Sequence, residues 1–128
     1  MVAEARTFVD VEGPLREYVR DQVASVSRRV FFEVNPKVPA TLAQVIIQRI
    51  AGPDDRCLVQ LDVWAASKAA AAEIAAELAT ALEALAHFTA GSAIVHGATV
   101  ESVRWQPDPE SNAPRYIVEA TVTATARI

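Results

Sequence analysis

The clearest pattern of apolar and polar positions spans residues 67–88, SKAAAAEIAAELATALEALAHF. On a helical wheel Ala71, Ile74, Ala75, Leu78, Ala81, Leu82, Leu85 and Phe88 share one face. Glu73, Glu77, Thr80, Glu83 and His87 lie opposite. Twelve of the twenty-two residues at 65–86 are alanine, the strongest helix former. Ser67 suits the N-cap, and Gly91 stands beyond the far end as a breaker. The pattern predicts an amphipathic helix about 30 Å long.

A shorter helical spacing runs through Leu15, Tyr18, Val19, Val23 and Val26, with Pro14 placed for a first turn. Residues 1–12 carry no strong period and are expected to form an arm or a loosely held strand, so the chain divides into that N-terminal arm and a single domain at 13–128. Residues 29–34, RVFFEV, read as a short strand that the prolines at 36 and 39 terminate. VIIQRI at 45–50 and LVQLDVW at 58–64 flank a turn-rich segment and predict an antiparallel hairpin. After the long helix, residues 94–96 read as a brief extended piece broken by Gly97, and residues 100–106 as a main strand. Residues 107–114 contain three prolines and predict an irregular loop.

The last segment, residues 115–128, alternates strictly. Tyr116, Val118, Ala120, Val122, Ala124, Ala126 and Ile128 occupy one face, and Arg115, Glu119 and a row of threonines the other, with Ile117 among them. This predicts a strand with one buried face, and its threonine-rich side marks it as a candidate sheet edge. The expected fold is α+β: a mostly antiparallel sheet of about four main strands plus a short extra strand. One long helix packs across it, joined by a shorter N-terminal helix.

Composition narrows the function. The chain has 128 residues, 52% of them hydrophobic and 22% charged, in the range of one ordinary globular domain. A formal charge of −4 and the lack of any basic cluster argue against nucleic-acid recognition. No apolar run reaches the roughly 18 residues of a membrane helix, and the N-terminal stretch lacks the basic-then-apolar order of a signal peptide. The single cysteine, Cys57, excludes an intramolecular disulfide and a cysteine zinc site.

Catalytic constellations do not assemble from these residues. His87 and His96 lack metal-ligand spacing and are read as exposed helix-end and turn residues. Asp54–Asp55 and Asp108–Glu110 lack the order of a calcium loop and are read as turn formers. Ser67 is explained as a helix cap, and no glycine-rich phosphate loop is present. No catalytic, metal or cofactor site is expected. What stays unexplained is surface: the glutamates of the long helix stand among alanines, and Glu73 and Glu77 form a like-charge i,i+4 pair. Both that face and the last strand are candidate contacts with other subunits.

The ordered set RVFFEV, VIIQRIAG, VQLDVWA, a helix opening SKAAAAEIAAEL, and a closing WQPDPE…PRYIVEATVTA resembles the small tail terminator (tail completion) proteins of long-tailed bacteriophages and prophages. The resemblance covers residues 15–128 and rests chiefly on the helix entry after VWA and the PDP…PRY corner. It implies a structural protein, not an enzyme, that uses no cofactor. Such proteins form a ring, usually hexameric, on the head-proximal end of the tail tube. The ring stops polymerisation of the tube and docks the head. The implied partners are further copies of the chain, the major tail tube protein and the head–tail connector protein, with neither nucleic-acid recognition nor a membrane. The implied location is the virion tail, and the host cytoplasm during assembly. Under this resemblance Glu73, Glu77 and Glu83 are expected to pair with Arg49, Arg104 or Arg115 of the adjacent subunit. Asp54, Asp55 and Arg56 at 52–56, and Asp108, Glu110 and Asn112 at 107–114, are expected in docking loops. The alternatives are another phage neck or connector protein, a cytoplasmic α+β ligand-binding module or enzyme, and a free-standing dimeric structural protein.

Overall fold

The computed structural model describes residues 12–23, 26, 29–32, 43–51, 56–85, 87–90 and 93–126. The described elements run in the order α1 (Glu12–Gln22), β1 (Val30–Phe31), β2 (Gln44–Ala51), β3 (Arg56–Trp64), α2 (Lys68–Glu83), β4 (Phe88–Ala90), β5 (Ala93–Trp105) and β6 (Arg115–Ala126). The strands form one six-stranded sheet in the order β1-β2-β3-β6-β5-β4. Every pairing is antiparallel except β1 with β2. The fold is α+β with four long strands, as the alternation predicts, and two short outer ones.

α2 starts where Ser67 leaves the extended conformation (φ −144, ψ 163) and its hydroxyl accepts from the Ala70 amide. That bond satisfies one of the otherwise orphaned amides of the first turn. The apolar stripe is buried as the wheel predicts: Ala71, Ile74, Ala75, Leu78 and Leu82 all face the core. Opposite them stand Val59, Leu61 and Val63 of β3 and Val118, Ala120, Val122 and Ala124 of β6. Alanines on both layers let the helix lie close to the sheet. Burial of Ile74, Leu78, Leu82 and Leu85 contributes roughly 6–12 kcal/mol before entropy is counted. Leu15 and Val19 of α1 extend the same core toward Val30, Val45 and Ile47.

Several boundaries differ from the sequence reading. α2 ends at Glu83 with Ala84 as its C-cap, so Phe88 is not on the helix. It begins β4 and pairs with Val95 in a tight hairpin; this short-range strand pairing, together with the helix ending at Glu83, replaces the helical period there. Gly97 does not break a strand. β5 runs through it, with a register shift between Val95 and Gly97 and another between Val100 and Ser102. A glycine inside a strand commonly marks such a bulge. β6 is not an edge either. It lies between β3 and β5, and its threonine face is an exposed sheet face. α1 begins at Glu12, which therefore belongs to the helix and not to an arm. Residues 1–11 lie outside the described residues.

Candidate assembly surfaces

The face of α2 turned from the sheet carries Glu73, Ala76 and Glu77, all exposed. With Tyr18 and Gln22 of α1 they line an open groove between the two helices. The groove is pinned near its end by Tyr18, whose hydroxyl donates to the Ala81 carbonyl at 2.6 Å. Ala81 lies in the last turn of α2, where carbonyls lack helical partners, so this bond joins the helices at a group that needs a donor. Burial pushes the Tyr18 phenol above its ordinary pKa.

Glu83 does not share that outward face. Its Oε1 accepts from the backbone amide of Val100 on β5 at 2.8 Å. The arginines expected to meet the helix glutamates are engaged elsewhere within the chain. Arg104 pairs with Glu119 at 2.6 Å, and its guanidinium also donates to Ser102 and Gln106. Arg115 pairs with Asp62 at 3.6 Å, donates to the Gln106 carbonyl and lies over the Trp64 ring. Both arginines lie on the sheet face away from α2, shown by their registers with Ile117 and Trp64. Arg49 lies in register with Val59 on the helix side, and its backbone amide donates to Glu12 at 3.0 Å. Within one chain, then, Arg104 and Arg115 lie across the sheet from the α2 glutamates.

The loop at 107–114 is built on Asp108. Oδ1 accepts from the Glu110 amide, Oδ2 from the Ser111 hydroxyl, and the Asp108 carbonyl from the Asn112 amide. The Glu110 amide bond chiefly holds the Asp108 carboxyl below its ordinary pKa, with smaller help from Ser111 and Arg115. Asn112 has φ 57, a left-handed conformation that asparagine tolerates better than most residues. Glu110 and Asn112 are exposed at the tip. Arg56 is exposed at the start of β3, whereas Asp54 and Asp55 lie outside the described residues.

Some features of these surfaces escaped the sequence reading. Ile46, Trp64 and Ile117 are buried on the sheet face opposite α2. Ile117, an apolar residue among threonines and charges, was the signal for it. Gln44 and Trp64 face each other across β2 and β3, and Gln44 Oε1 and Trp64 Nε1 are buried without hydrogen bonds. His87 and His96 come within 5.2 Å, ring to ring, because β4 and β5 form a hairpin. His96 also contacts the Thr125 hydroxyl at 2.9 Å. Among the described residues no group of three or more His, Cys, Asp or Glu side chains is placed to hold a metal ion. No helix among them is long and apolar enough to cross a membrane.

No protein-family model matches the chain, and no curated protein matches it. Among solved structures it is similar to a chain in a structure described as the virion of a native gene transfer agent particle. The TM-score is 0.64 at 17% identity, over 89% of this chain and 93% of that one. At that identity the likeness is one of fold. It includes nearly the whole of both chains, so the comparison is between two small domains of similar extent.

Proposed function

We propose that this chain is a structural component of a phage-like virion and, within that class, a tail terminator. In this role copies form a ring on the head-proximal end of the tail tube. One face of the ring covers the last tube subunits and stops their polymerisation, and the other receives the head connector. The work is done by surfaces and not by a reaction, so no residue has a catalytic duty. The observation that carries the reading is the end-to-end fold likeness to a chain of a gene transfer agent virion. The ordered motifs from RVFFEV to PRYIVEATVTA support the narrower assignment.

In the ring, Glu73 and Glu77 face an adjacent subunit across the open groove of α1 and α2. Pairing with the neighbour's Arg104 or Arg115 requires those side chains to leave Glu119 and Asp62, so the contact exchanges ion pairs. In this reading Glu110 and Asn112 at the tip of the 107–114 loop, with Arg56 at the start of β3 and Asp54 and Asp55 before it in sequence, serve as docking residues for the tube or the connector.

The test is assembly. Purified protein should form rings in negative-stain images and bind the ends of tubes polymerised from the major tail protein. Binding to connector rings but not to tube ends would assign it to the neck instead. A strict monomer that ignores both would end the virion reading. Glu73→Lys with Glu77→Lys should abolish ring formation while leaving the circular dichroism spectrum unchanged. Normal rings from that variant would remove the two glutamates from the contact.

A further inference from the structure

The outer strands of the sheet are short, and among the described residues each pairs with only one end of its long neighbour. β4 pairs with residues 93–95 of β5 only, and β1 with residues 45–46 of β2 only. Residues 96–105 and 47–51 have no strand partner on those sides among the described residues. Uncovered edges present rows of backbone donors and acceptors that invite another strand.

Each uncovered edge has one amide capped by a glutamate from a helix. On β5, Val100 N donates to Glu83 Oε1 at 2.8 Å. On β2, Arg49 N donates to Glu12 Oε2 at 3.0 Å. The direction of the second bond is fixed by alternation. Val45 N donates to the Arg29 carbonyl on the β1 side, so the amides two and four residues on point to the same edge. A carboxylate oxygen stands at both edges where the carbonyl of an added strand would be. Beside the β5 edge runs a shallow groove lined by Ala79, Thr80, Glu83, Ala84 and Val100, whose small side chains leave room for a strand.

We propose that copies of this chain join edge to edge, β5 of one against β2 of the next, with Glu83 and Glu12 as the covers displaced at the junction. The two edges lie at opposite ends of one sheet, so the contact is head to tail, the kind that closes into a ring. β2 runs parallel to β6 and opposite to β5, because each step from β2 through β3 and β6 to β5 is antiparallel. Rotation about an axis along the strands preserves direction and sets β5 beside β2 as an antiparallel pair, the more stable ladder. This inference rests on the ring reading above but not on the glutamate pairing, because edge-joined copies keep α2 on one face of the joined sheet and Arg104 and Arg115 on the other; it names the edges as the surface through which the ring closes.

Gln48 and Thr99 provide the test, since both are exposed and both lie on the sheet face away from α2, one on each edge strand. The buried Cys57 stays in place. Q48C and T99C proteins, mixed and mildly oxidised, should form the mixed disulfide at least tenfold faster than Q48C mixed with E17C on α1. The doubly substituted Q48C/T99C chain should give a disulfide ladder that ends at the ring size. Rings in the microscope without preferential cross-linking would overturn the edge junction and leave the ring reading intact. Cross-linking to tube protein in place of a second copy would overturn it too, and a monomer at every concentration would sink both. As a second measurement, Glu83→Gln should raise self-association severalfold, because a neutral amide covers the Val100 amide less firmly. A decrease would count against Glu83 as a removable cover.

Discussion

The Arg115 guanidinium lies over the Trp64 ring, 5.2 Å from its centroid, and the two residues face each other across β3 and β6. The same side chain pairs with Asp62 and donates to the Gln106 carbonyl, so it ties the start of β6 to the end of β3 and to the loop. Its side chain is only 13% exposed and that of Asp62 14%, so solvent screens the pair little. Arg115→Ala should cost about 3 kcal/mol of unfolding free energy, the range for leaving a largely buried partner alone. Arg115→Lys should recover only part of it, because lysine lacks the planar fork that serves ring, carboxylate and carbonyl together. Urea denaturation of the two variants checks the order.

Tyr18 and Ala81 hold the helices together through one hydrogen bond. Tyr18→Phe keeps the packing and deletes the donor, and should cost about 0.5–1.5 kcal/mol. The phenol pKa is raised in the folded protein, so neutral tyrosine is the favoured form there. Its contribution is complete below the unfolded pKa near ~10 and is lost as pH rises through the higher folded value. The stability difference between wild type and Y18F, followed by urea titration, should therefore shrink above pH ~10.

Gly97 lies in β5 without a positive φ, and a Cβ built there meets only the Leu85 carbonyl oxygen, at 4.0 Å. Gly97→Ala should therefore fold normally and gain about 0.4–1 kcal/mol by restricting the unfolded chain. Thermal denaturation showing a clear loss would mean that the bulge demands glycine.

Asp108 carries a pH-dependent contribution to the 107–114 loop. Its pKa is lowered on folding, chiefly by the Glu110 amide, so the contribution is present above the unfolded value near ~3.9 and is lost as pH falls through the lower folded one. Asp108→Asn should flatten the difference in denaturation midpoint between pH 6 and pH 3 relative to wild type, with little change in the spectrum of the folded state. An unchanged pH dependence would assign the effect to other carboxylates.

The periodicity of residues 67–83 and 115–126 was enough to define the two elements that carry the core. The 3.6-residue period of a helix and the two-residue period of a strand are local properties, and the buried set on α2 and β6 follows from them directly. The turn-rich segments likewise marked the β2–β3 and β5–β6 hairpins, though not the β4–β5 one, and the proline loop before Arg115 lies where its composition put it. Charge and the lack of ligand spacing had already set catalysis aside as an expectation.

What only the tertiary structure decided is which elements neighbour which. The change of Phe88 from helix to strand comes from a tight hairpin with Val95, whereas the placement of β6 between β3 and β5 and the parallel pairing of β1 with β2 depend on hydrogen bonds between residues well separated in sequence. So do the bonds of Glu83 to β5 and of Glu12 to β2, which turn two residues of acidic helix ends into covers for the edges of a sheet. Sequence pattern reports the faces of single elements. Edges exist only once strands have been ordered, which is why the surfaces of greatest interest here were absent from the pattern.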